Sequence, residues 1–430
     1  MDSAYDPSTL QARRCYLASV TLLAMFACHT LTKTTYTTDS AGACGDPVMV
    51  PGYGYAAAGT VPADPDGVSY GTSPTPYHVR YSWSGSPATE ATILWRTDDN
   101  TTASRVEFGT SEALGTMALG GSFTLLTGGG RVHEVRLCDL APDTTYIYRV
   151  GGESSWSPEY SFTTAPAPGS DVPVVIGVAG DSRDNQATWG ALLAGMAERG
   201  PDFVVFSGDA VDFGGNMDEW GAWLDAGQGY MESHAIVMVH GNHEFYAQNF
   251  FGLVAQPGDE RNFSLDYGPV HLSVLDDSMA SADRATLATW LDADLTAATA
   301  TPWKFINHHM PAYSSCTTHG SDEELQQLWS PVEDAHGVQL DLAGHNHNYE
   351  RSVPLRAGLE VPAGEGTVYV VSGGAGADLY GNDLANPFTA VASSMEHYVL
   401  ITLDGSSATV EAIDLAGNVI DSFQVPVAPS

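Results

Sequence analysis

Basic residues are scarce in this sequence. Its 430 residues include 16 Lys and Arg against 52 Asp and Glu, which gives a formal net charge of −36, and only Lys33 and Lys304 are lysines. Such a chain offers no basic face to neutralise a run of phosphates, so we expect no nucleic acid and no anionic membrane as a partner. Its field also slows the approach of an anionic substrate. Phosphate chemistry would therefore need local positive charge of the kind that bound metal ions supply.

Cysteines are also few and widely spaced. The five are Cys15, Cys28, Cys44, Cys138 and Cys316. This number is too small for a disulfide scaffold, and no two cysteines have the close spacing of a zinc knuckle. For the last three, one disulfide and unpaired buried thiols both remain open.

Long apolar runs are lacking except near the N-terminus. Residues 15–27 form an uncharged run after two arginines, and the run is too short to span a bilayer comfortably. We therefore predict that residues 1–45 are a targeting segment and that the protein is exported, whether secreted, periplasmic or attached to the cell surface. Cys28 follows an alanine as in a lipoprotein cleavage site, which makes it a candidate lipid anchor. Cleavage near residues 41–43 and a retained membrane anchor are the alternatives.

The chain then changes character twice. Residues 46–76 are rich in Gly, Ala, Pro and Asp and are predicted to be a linker or extended arm. Residues 77–165 contain short alternating stretches separated by turn residues, which indicate a small antiparallel β-sandwich. The predicted strands are 77–83, 91–96, 104–108, 122–126, 132–137, 145–150 and 160–163. Trp95, Tyr146 and Tyr148 are interpreted as core or corner aromatics, with carbohydrate or partner binding as the alternative.

After residue 172, continuous apolar runs alternate with helical patterns, which indicates an α/β core. Polar residues follow the runs directly, at the edge where open α/β sheets place their sites. The runs and the residues after them are 174–179 with Asp181, 203–206 with Asp209, 236–239 with Asn242 and His243, 303–306 with His308 and His309, and 338–343 with His345 and His347. Helices are predicted after residue 180, over 282–295, and from a capping-box pattern that begins at Ser321.

These residue types together favour a metal site. Taken alone, His345 and His347 are more typical of a solvated loop than of a metal centre. Beside carboxylates and an amide oxygen at other strand ends, the imidazoles complete a donor set for zinc, iron or manganese, and a shared carboxylate can bridge two ions. The pattern therefore predicts a dinuclear hydrolase.

Five blocks in order resemble the calcineurin-like metallophosphoesterases, and specifically their purple acid phosphatase branch. The blocks are 180–181, 208–209, 241–244, 309–313 and 344–351. Trp95, His133 and residues 140–151 resemble that branch's N-terminal domain, and residues 366–373 and 421–423 its C-terminal part. The resemblance implies a fibronectin type III-like β-sandwich over 77–165. It also implies a catalytic domain over 172–428, built from two packed mixed β-sheets flanked by helices.

The resemblance further implies a role for each matching residue. Asp209 would bridge the two metals, Asp181 and His347 would hold the first, and Asn242, His309 and His345 would hold the second. His243 would contact the phosphate. His319 lies in a loosely matched loop, where it is either a proton donor or a solvated histidine. His308 has no implied role, and we expect it to contact a ligand residue rather than a metal.

Two positions depart from the family pattern. The family has a metal-binding tyrosine where this chain has Asp212, so a divalent ion in the first site becomes plausible, and the metals are expected to be Fe, Zn or Mn. Asp212 could bind the metal, contact a ligand residue or cap a turn. Arg183 stands where the wider superfamily often has a metal-binding histidine. An arginine cannot bind a cation, so it would clamp a phosphate oxygen or pair with Asp184.

The expected function is that of an exported dinuclear-metal phosphatase, similar to acid phosphatases, which hydrolyses phosphate monoesters through a metal-activated hydroxide. Small phosphoesters are the expected substrates. A phosphodiesterase or nucleotidase would use the same site and differ only in pocket shape. A pyrophosphatase or polyphosphatase is less favoured because of the acidic surface. A catalytically decayed extracellular binding protein is the alternative from a different class.

Overall fold

The computed structural model describes residues 68–427, except 113, 153–154, 184 and 279–280, together with the short parallel strands β1 (Leu31–Lys33) and β2 (Tyr55–Ala57). Most of the targeting segment, including Cys28, and most of the linker lie outside the described residues. Within the described part of the chain, no helix combines the length and the apolar character that crossing a bilayer requires. Cys138 is disulfide-bonded, Cys316 is a free buried thiol, and Cys44 is outside the described residues.

The N-terminal unit is an antiparallel β-sandwich. Its strands are β3 (Tyr77–Ser82), β4 (Ala91–Thr97), β5 (Arg105–Gly109), β6 (Thr116–Leu119), β7 (Gly121–Thr124), β8 (Arg131–Leu137), β9 (Thr145–Gly152), β10 (Ser155–Trp156) and β11 (Tyr160–Thr163). One sheet has the order β3–β4–β8–β7, and the other has the order β10–β9–β5–β6 with β11 also paired to β9. The predicted strands are all present. The alternation does not predict β6 and β10, because β6 buries a single residue and β10 has two half-buried residues.

The predicted aromatic residues of the sandwich are core residues. Trp95 and Tyr148 are fully buried, and Tyr146 is 8% exposed. Trp95 stacks on His133 with ring centroids 4.9 Å apart. The Tyr148 hydroxyl donates to the backbone carbonyl of Glu232 at 2.6 Å, so this residue also ties the sandwich to the C-terminal domain.

The C-terminal domain contains two mixed sheets and their helices. Its strands are β12 (Val174–Ala179), β13 (Phe203–Phe206), β14 (Ile236–Met238), β15 (Phe263–Tyr267), β16 (Val270–Val274), β17 (Trp303–Asn307), β18 (Leu340–Ala343), β19 (Tyr349–Ser352), β20 (Leu355–Arg356), β21 (Leu359–Glu360), β22 (Val368–Ser372), β23 (Thr389–Ser393), β24 (His397–Asp404), β25 (Ser407–Asp414) and β26 (Val419–Pro426). Its helices are α1 (Gln186–Ala197), α2 (Met217–Gly227), α3 (Gln248–Leu253), α4 (Ser281–Ala297), α5 (Glu323–Leu328) and α6 (Ser330–His336), with a 3₁₀ turn at Asn242–Glu244.

The two sheets pack face to face. The first has the order β14–β13–β12–β24–β25–β26, and the second has the order β15–β16–β17–β18–β22–β19–β23. Apolar residues from both inner faces form one core, α1 and α2 cover the outer face of the first sheet, and α4 to α6 cover the second. Strand β24 pairs antiparallel with β12, and β25 and β26 extend the first sheet further through antiparallel pairs. The predicted fold, with a sandwich followed by two packed mixed sheets and flanking helices, is confirmed.

One detail of helix capping differs from the prediction. Helix α5 begins after Asp322, whose carboxylate accepts the backbone N–H groups of Glu324 at 3.0 Å and Leu325 at 3.2 Å. Ser321 is one residue too early to cap this helix. Its hydroxyl instead accepts the backbone N–H of Ser314 at 2.9 Å, which closes the preceding loop.

Candidate metal centre

The site lies where parallel strands of both sheets end. Strands β12, β13 and β14 are parallel in the first sheet, and β17 and β18 are parallel in the second. Asp181, Asp209 and His345 each have a left-handed backbone, with φ of 62°, 55° and 62°. Such conformations are costly for residues other than glycine and collect at functional sites. They turn the chain at the end of each of these strands.

Glycine at position 344 permits the close approach of two ligand loops. A Cβ atom there would lie 2.4 Å from Asp181 Oδ2 and 2.7 Å from the backbone carbonyl oxygen of Ser207. Both distances are shorter than any van der Waals contact. A side chain at Gly344 would therefore separate the loop of His345 from that of Asp181.

One group of ligand atoms surrounds His309. The donor atoms of Asp209, His309 and His345 lie within 4.8 Å of one another. His309 Nε2 is 3.0 Å from Asn242 Oδ1 and 3.5 Å from Asp209 Oδ1. These residues supply two imidazoles, a carboxylate and an amide oxygen, a set that suits zinc, iron or manganese.

A second group surrounds Asp181. Its Oδ1 lies 3.7 Å from His347 Nε2, and its two carboxylate oxygens accept the backbone N–H of His345 at 3.0 and 2.9 Å. Asp181 is fully buried. Burial raises the pKa of Asp181 well above its usual value, His309 opposes this rise, and the charge of Asp209 adds to it. Two buried carboxylates that repel each other fit a site for cations.

Hydrogen bonds orient the imidazoles. His309 Nδ1 donates to the backbone carbonyl of Ser207, and His347 Nδ1 donates to that of Asp378, both at 2.7 Å. In each ring Nε2 is then directed at the site. Burial lowers the pKa of His347 to about 4 and, with His309 beside it, that of His345 to about 3, so both rings are neutral and can bind a metal.

His309 differs from the other two histidines. Burial lowers the pKa of His309, but the carboxylates of Asp209, Asp181 and Asp277 together outweigh this effect and raise it to about 10. In the metal-free protein the ring is thus an imidazolium that partly balances the two buried aspartates. A metal ion would take over that balance, and its binding would release the proton.

Glu244 ties two ligand loops together. Its fully buried carboxylate accepts the backbone N–H groups of Asp209 at 3.0 Å, Ala210 at 2.8 Å and Gly241 at 2.7 Å. The first two follow β13 and the third follows β14. Glu244 belongs to the block 241–244 that carries Asn242, but the strand-end pattern predicts no role for it.

Arg183, His243 and Asp212 form the outer side of the site. His243 Nδ1 donates to the backbone carbonyl of Asp212 at 2.7 Å, and its Nε2 accepts a hydrogen bond from the Arg183 guanidinium. The Asp212 carboxylate lies 3.3 Å from His243 Nδ1 and 3.7 Å from Arg183 Nη1, and its side chain is 57% exposed. Of the three roles open for Asp212, these distances fit the one in which it contacts neighbouring residues of the site, here Arg183 and His243. Asp184, the other partner considered for Arg183, is outside the described residues.

Tyr380 and His319 complete this side. The Tyr380 ring stacks on His347 at 4.1 Å, and its backbone N–H donates to the carbonyl of the same residue at 2.8 Å. Burial raises the pKa of Tyr380, and a hydrogen bond between its hydroxyl and Arg183 opposes the rise. The exposed His319 ring lies 4.4 Å from His345 and 5.5 Å from Tyr380. No strand precedes Tyr380 directly, so the strand-end pattern cannot reveal it.

His308 lies behind the ligands. Its ring is fully buried and bonds Asp277 through Nδ1 and Asp341 through Nε2, each at 2.8 Å. The Asp277 carboxylate also accepts the backbone N–H groups of His309 at 3.3 Å and Met310 at 2.5 Å. These contacts agree with the interpretation that His308 supports a ligand residue rather than binding a metal.

Comparison with known proteins identifies two domains. The model of the purple acid phosphatase N-terminal domain matches residues 76–164, and the model of the calcineurin-like phosphoesterases matches residues 174–349.

Among curated relatives, purple acid phosphatase 18 of Arabidopsis thaliana is 27% identical over 70% of this chain and 72% of its own length. Human acid phosphatase type 7 is 28% identical over 82% of this chain and 91% of its own length. Probable inactive purple acid phosphatase 27 of Arabidopsis thaliana is 25% identical over 69% and 58%. The solved structure of the purple acid phosphatase PPD1 from yellow lupin seeds shares the fold, with a TM-score of 0.73, 20% identity and coverage of 86% of this chain and 76% of its own.

Proposed function

Because the chain belongs to the purple acid phosphatase-like branch of the calcineurin-like phosphoesterases, and is thus a metal-dependent phosphoric ester hydrolase, we propose that it is an exported phosphatase acting on phosphate monoesters at a dinuclear centre. The observation that carries the proposal is the pair of buried ligand groups. Asp209 contacts the group around His309, and its charge acts on Asp181 of the other group.

The ligands divide between the two ions. Asp181 and His347 would hold the first ion. The second ion would be held by Asn242, His309 and His345, and Asp209 would contact both ions. When bound, the ions would neutralise charge on the phosphoryl oxygens and acidify a water molecule for attack on phosphorus.

The chain's own residues bind the phosphoryl group on the outer side. Arg183 and His243 are hydrogen-bonded to each other beside Asp209, with His243 Nε2 4.0 Å from Asp209 Oδ2. The Arg183 guanidinium stabilises the charge on the phosphoryl oxygens, which the acidic remainder of the protein cannot do, and His243 contacts the same group. His319, exposed beside His345, or a water molecule protonates the leaving oxygen.

Export is part of the proposal. The apolar run at residues 15–27 follows two arginines, as in a signal peptide. The disulfide at Cys138 supports the same conclusion, because disulfides persist mainly in oxidising compartments. A full-length protein that keeps residues 1–45 and stays in the cytoplasm would contradict export.

Metal analysis of the purified protein, coupled to a panel of mono- and diesters, tests the catalytic part. We expect two metal ions per chain and faster hydrolysis of monoesters than of diesters. Asp209→Asn should lower metal content and reduce kcat by more than about 100-fold, beyond the usual effect of residues that only support ligands. Asp294→Asn, which alters a partly buried aspartate bonded to His271 and Ser264, is the control and should keep both. A protein with two bound metals that hydrolyses no phosphoester would overturn the proposal.

A further inference from the structure

Two exposed phenylalanines lie beside the phosphate-contacting histidine. Phe213 is 54% exposed and Phe245 is 58% exposed. Their ring centroids are 5.7 Å apart at an interplanar angle of 55°, and the Phe245 ring is 5.9 Å from that of His243. The two rings thus form an apolar surface that continues from the outer side of the metal centre, here called the phenylalanine pair.

The backbone holds Phe245 outward at an energetic cost. Phe245 and Tyr246 both have a left-handed backbone, with φ of 51° and 53°. The Tyr246 ring turns inward and stacks on His240 at 4.1 Å, while the preceding ring remains in solvent. For bulky side chains this conformation is uncommon, and it persists at ligand sites where the surrounding structure imposes it.

A close loop contact brings Phe213 to the same place. The backbone N–H of Gly214 donates to the carbonyl of His243 at 2.8 Å. A Cβ atom at Gly214 would lie 2.1 Å from the carbonyl oxygen of Glu244, so any larger residue would push the two loops apart. The backbone N–H of Phe213 is also held, by Glu219 Oε2 at 2.8 Å. Both loops are therefore anchored, and the two rings remain exposed to solvent.

We infer that the phenylalanine pair binds an aromatic ring on the leaving group of the phosphoester. This inference rests on the proposed function, in which His243 contacts the phosphoryl oxygens. In an aryl ester the aromatic ring is bonded directly to the ester oxygen. When His243 contacts the phosphoryl oxygens, this ring can therefore lie against the phenylalanine pair, which adjoins the His243 ring. A nucleobase is separated from its phosphate by a sugar and would extend past the pair. An uncharged ring also avoids the repulsion that a more highly charged leaving group meets on this acidic protein.

Phenylphosphonate and methylphosphonate test the inference without turnover. Their affinities for the metal-loaded protein are measured by calorimetry, with inorganic phosphate as a reference. Stacking predicts that the wild type prefers the phenyl ligand by about 5-fold to about 100-fold. The double variant Phe213→Ser with Phe245→Ser should lose this preference and bind phosphate as before. Leu359→Ser, which truncates a residue that is 70% exposed on β21, is the matched control and should keep the preference.

Phe245→Gly separates binding from folding. Glycine adopts the left-handed backbone without strain, so this variant should be at least as stable as the wild type while its preference for the phenyl ligand falls. An absent preference in the wild type, or equal losses for both phosphonates in the double variant, would overturn the inference.

Hydrolysis assays distinguish the two proposals. A protein that prefers phenylphosphonate but hydrolyses neither phenyl phosphate nor glycerol phosphate would refute the proposed function and leave the aromatic subsite standing. Adenosine monophosphate tests the kind of ring. If the double variant lost affinity for this nucleotide but kept its preference for phenylphosphonate, the pair would bind a base and the assignment to an aryl ester would be wrong.

Discussion

Replacing Glu244 by glutamine tests how the metal centre is held together. The carboxylate accepts three backbone N–H groups, from Asp209, Ala210 and Gly241, at 3.0, 2.8 and 2.7 Å. An amide has a single carbonyl oxygen. If this oxygen takes the place of Oε2, it keeps the bonds from Asp209 and Gly241, and the NH₂ group then faces the N–H of Ala210.

The magnitude follows from these contacts. Glu244→Gln leaves two buried donors unpaired, the backbone N–H of Ala210 and the NH₂ group of the new glutamine. Each unpaired donor costs about 1–3 kcal/mol, so the total is about 2–6 kcal/mol. The protein can reduce this cost by moving the loop after β13, which displaces Asp209. We therefore expect lower stability and also a metal affinity lower by about 10- to 100-fold, the usual effect of losing a residue that orients a ligand.

Competition with a chelator measures the affinity, and urea unfolding of the metal-free protein measures the stability. Glu350→Gln is the matched control. Glu350 is also buried and accepts hydrogen bonds from the Ser314 hydroxyl at 2.9 Å, the Ser315 backbone N–H at 2.7 Å and the Thr389 hydroxyl at 2.7 Å, and these groups hold no metal ligand. This variant should lose stability and keep its metals. If Glu244→Gln lost only stability, with metal affinity within about 2-fold of the wild type, the reasoning would be refuted.

Three further predictions concern charge, positioning and colour. Burial lowers the pKa of His271, but hydrogen bonds to Asp266 and Asp294 raise it to about 9. This stabilisation is complete below pH 6.5 and is lost as the pH rises through about 9. His271→Gln should thus cost up to about 3 kcal/mol at pH 6 and little at pH 10, as measured by urea unfolding. A cost independent of pH would contradict this. Tyr380→Phe removes the hydrogen bond between the Tyr380 hydroxyl and Arg183 and should lower kcat/KM about 5- to 10-fold, a modest effect because Tyr380 and Arg183 are partly exposed. Metal content should not change; an equal loss of metal would show that Tyr380 is a ligand instead. Finally, with Asp212 in place of the family's tyrosine, the iron-loaded protein should lack the purple absorption band, and a strong visible band that bleaches on reduction would refute this.

Much of the candidate site is visible in the sequence because of one physical regularity. Parallel strands end at the same edge of their sheet, so polar residues that follow successive apolar runs are brought together. Asp181, Asp209, Asn242, His309 and His345 all obey this rule, and their donor types are those of a metal centre. The fold can also be predicted from the sequence, because the periodicity that indicates buried strands and helices is a local property of the chain.

The strand-end rule does not predict other residues of the site, because their positions depend on how loops pack. Tyr380 reaches His347 and Arg183 from a segment with no preceding strand. Glu244 is part of a recognisable block, but only the packing of two loops shows that its carboxylate receives three N–H groups. For Asp212, the sequence leaves three roles open, and the structure brings its carboxylate to Arg183 and His243.

The sequence by itself determined the types of donor atoms, their order along the chain, and the strand ends where they meet, because these follow from local periodicity and from the direction of parallel strands. Only the tertiary structure decided which donors share a space, which rings are neutral, and that Phe213 and Phe245 stand together in solvent beside His243. Distances between loops, burial and the electrostatic effect of one buried group on another depend on contacts between residues that are far apart in the sequence, and no local pattern encodes them.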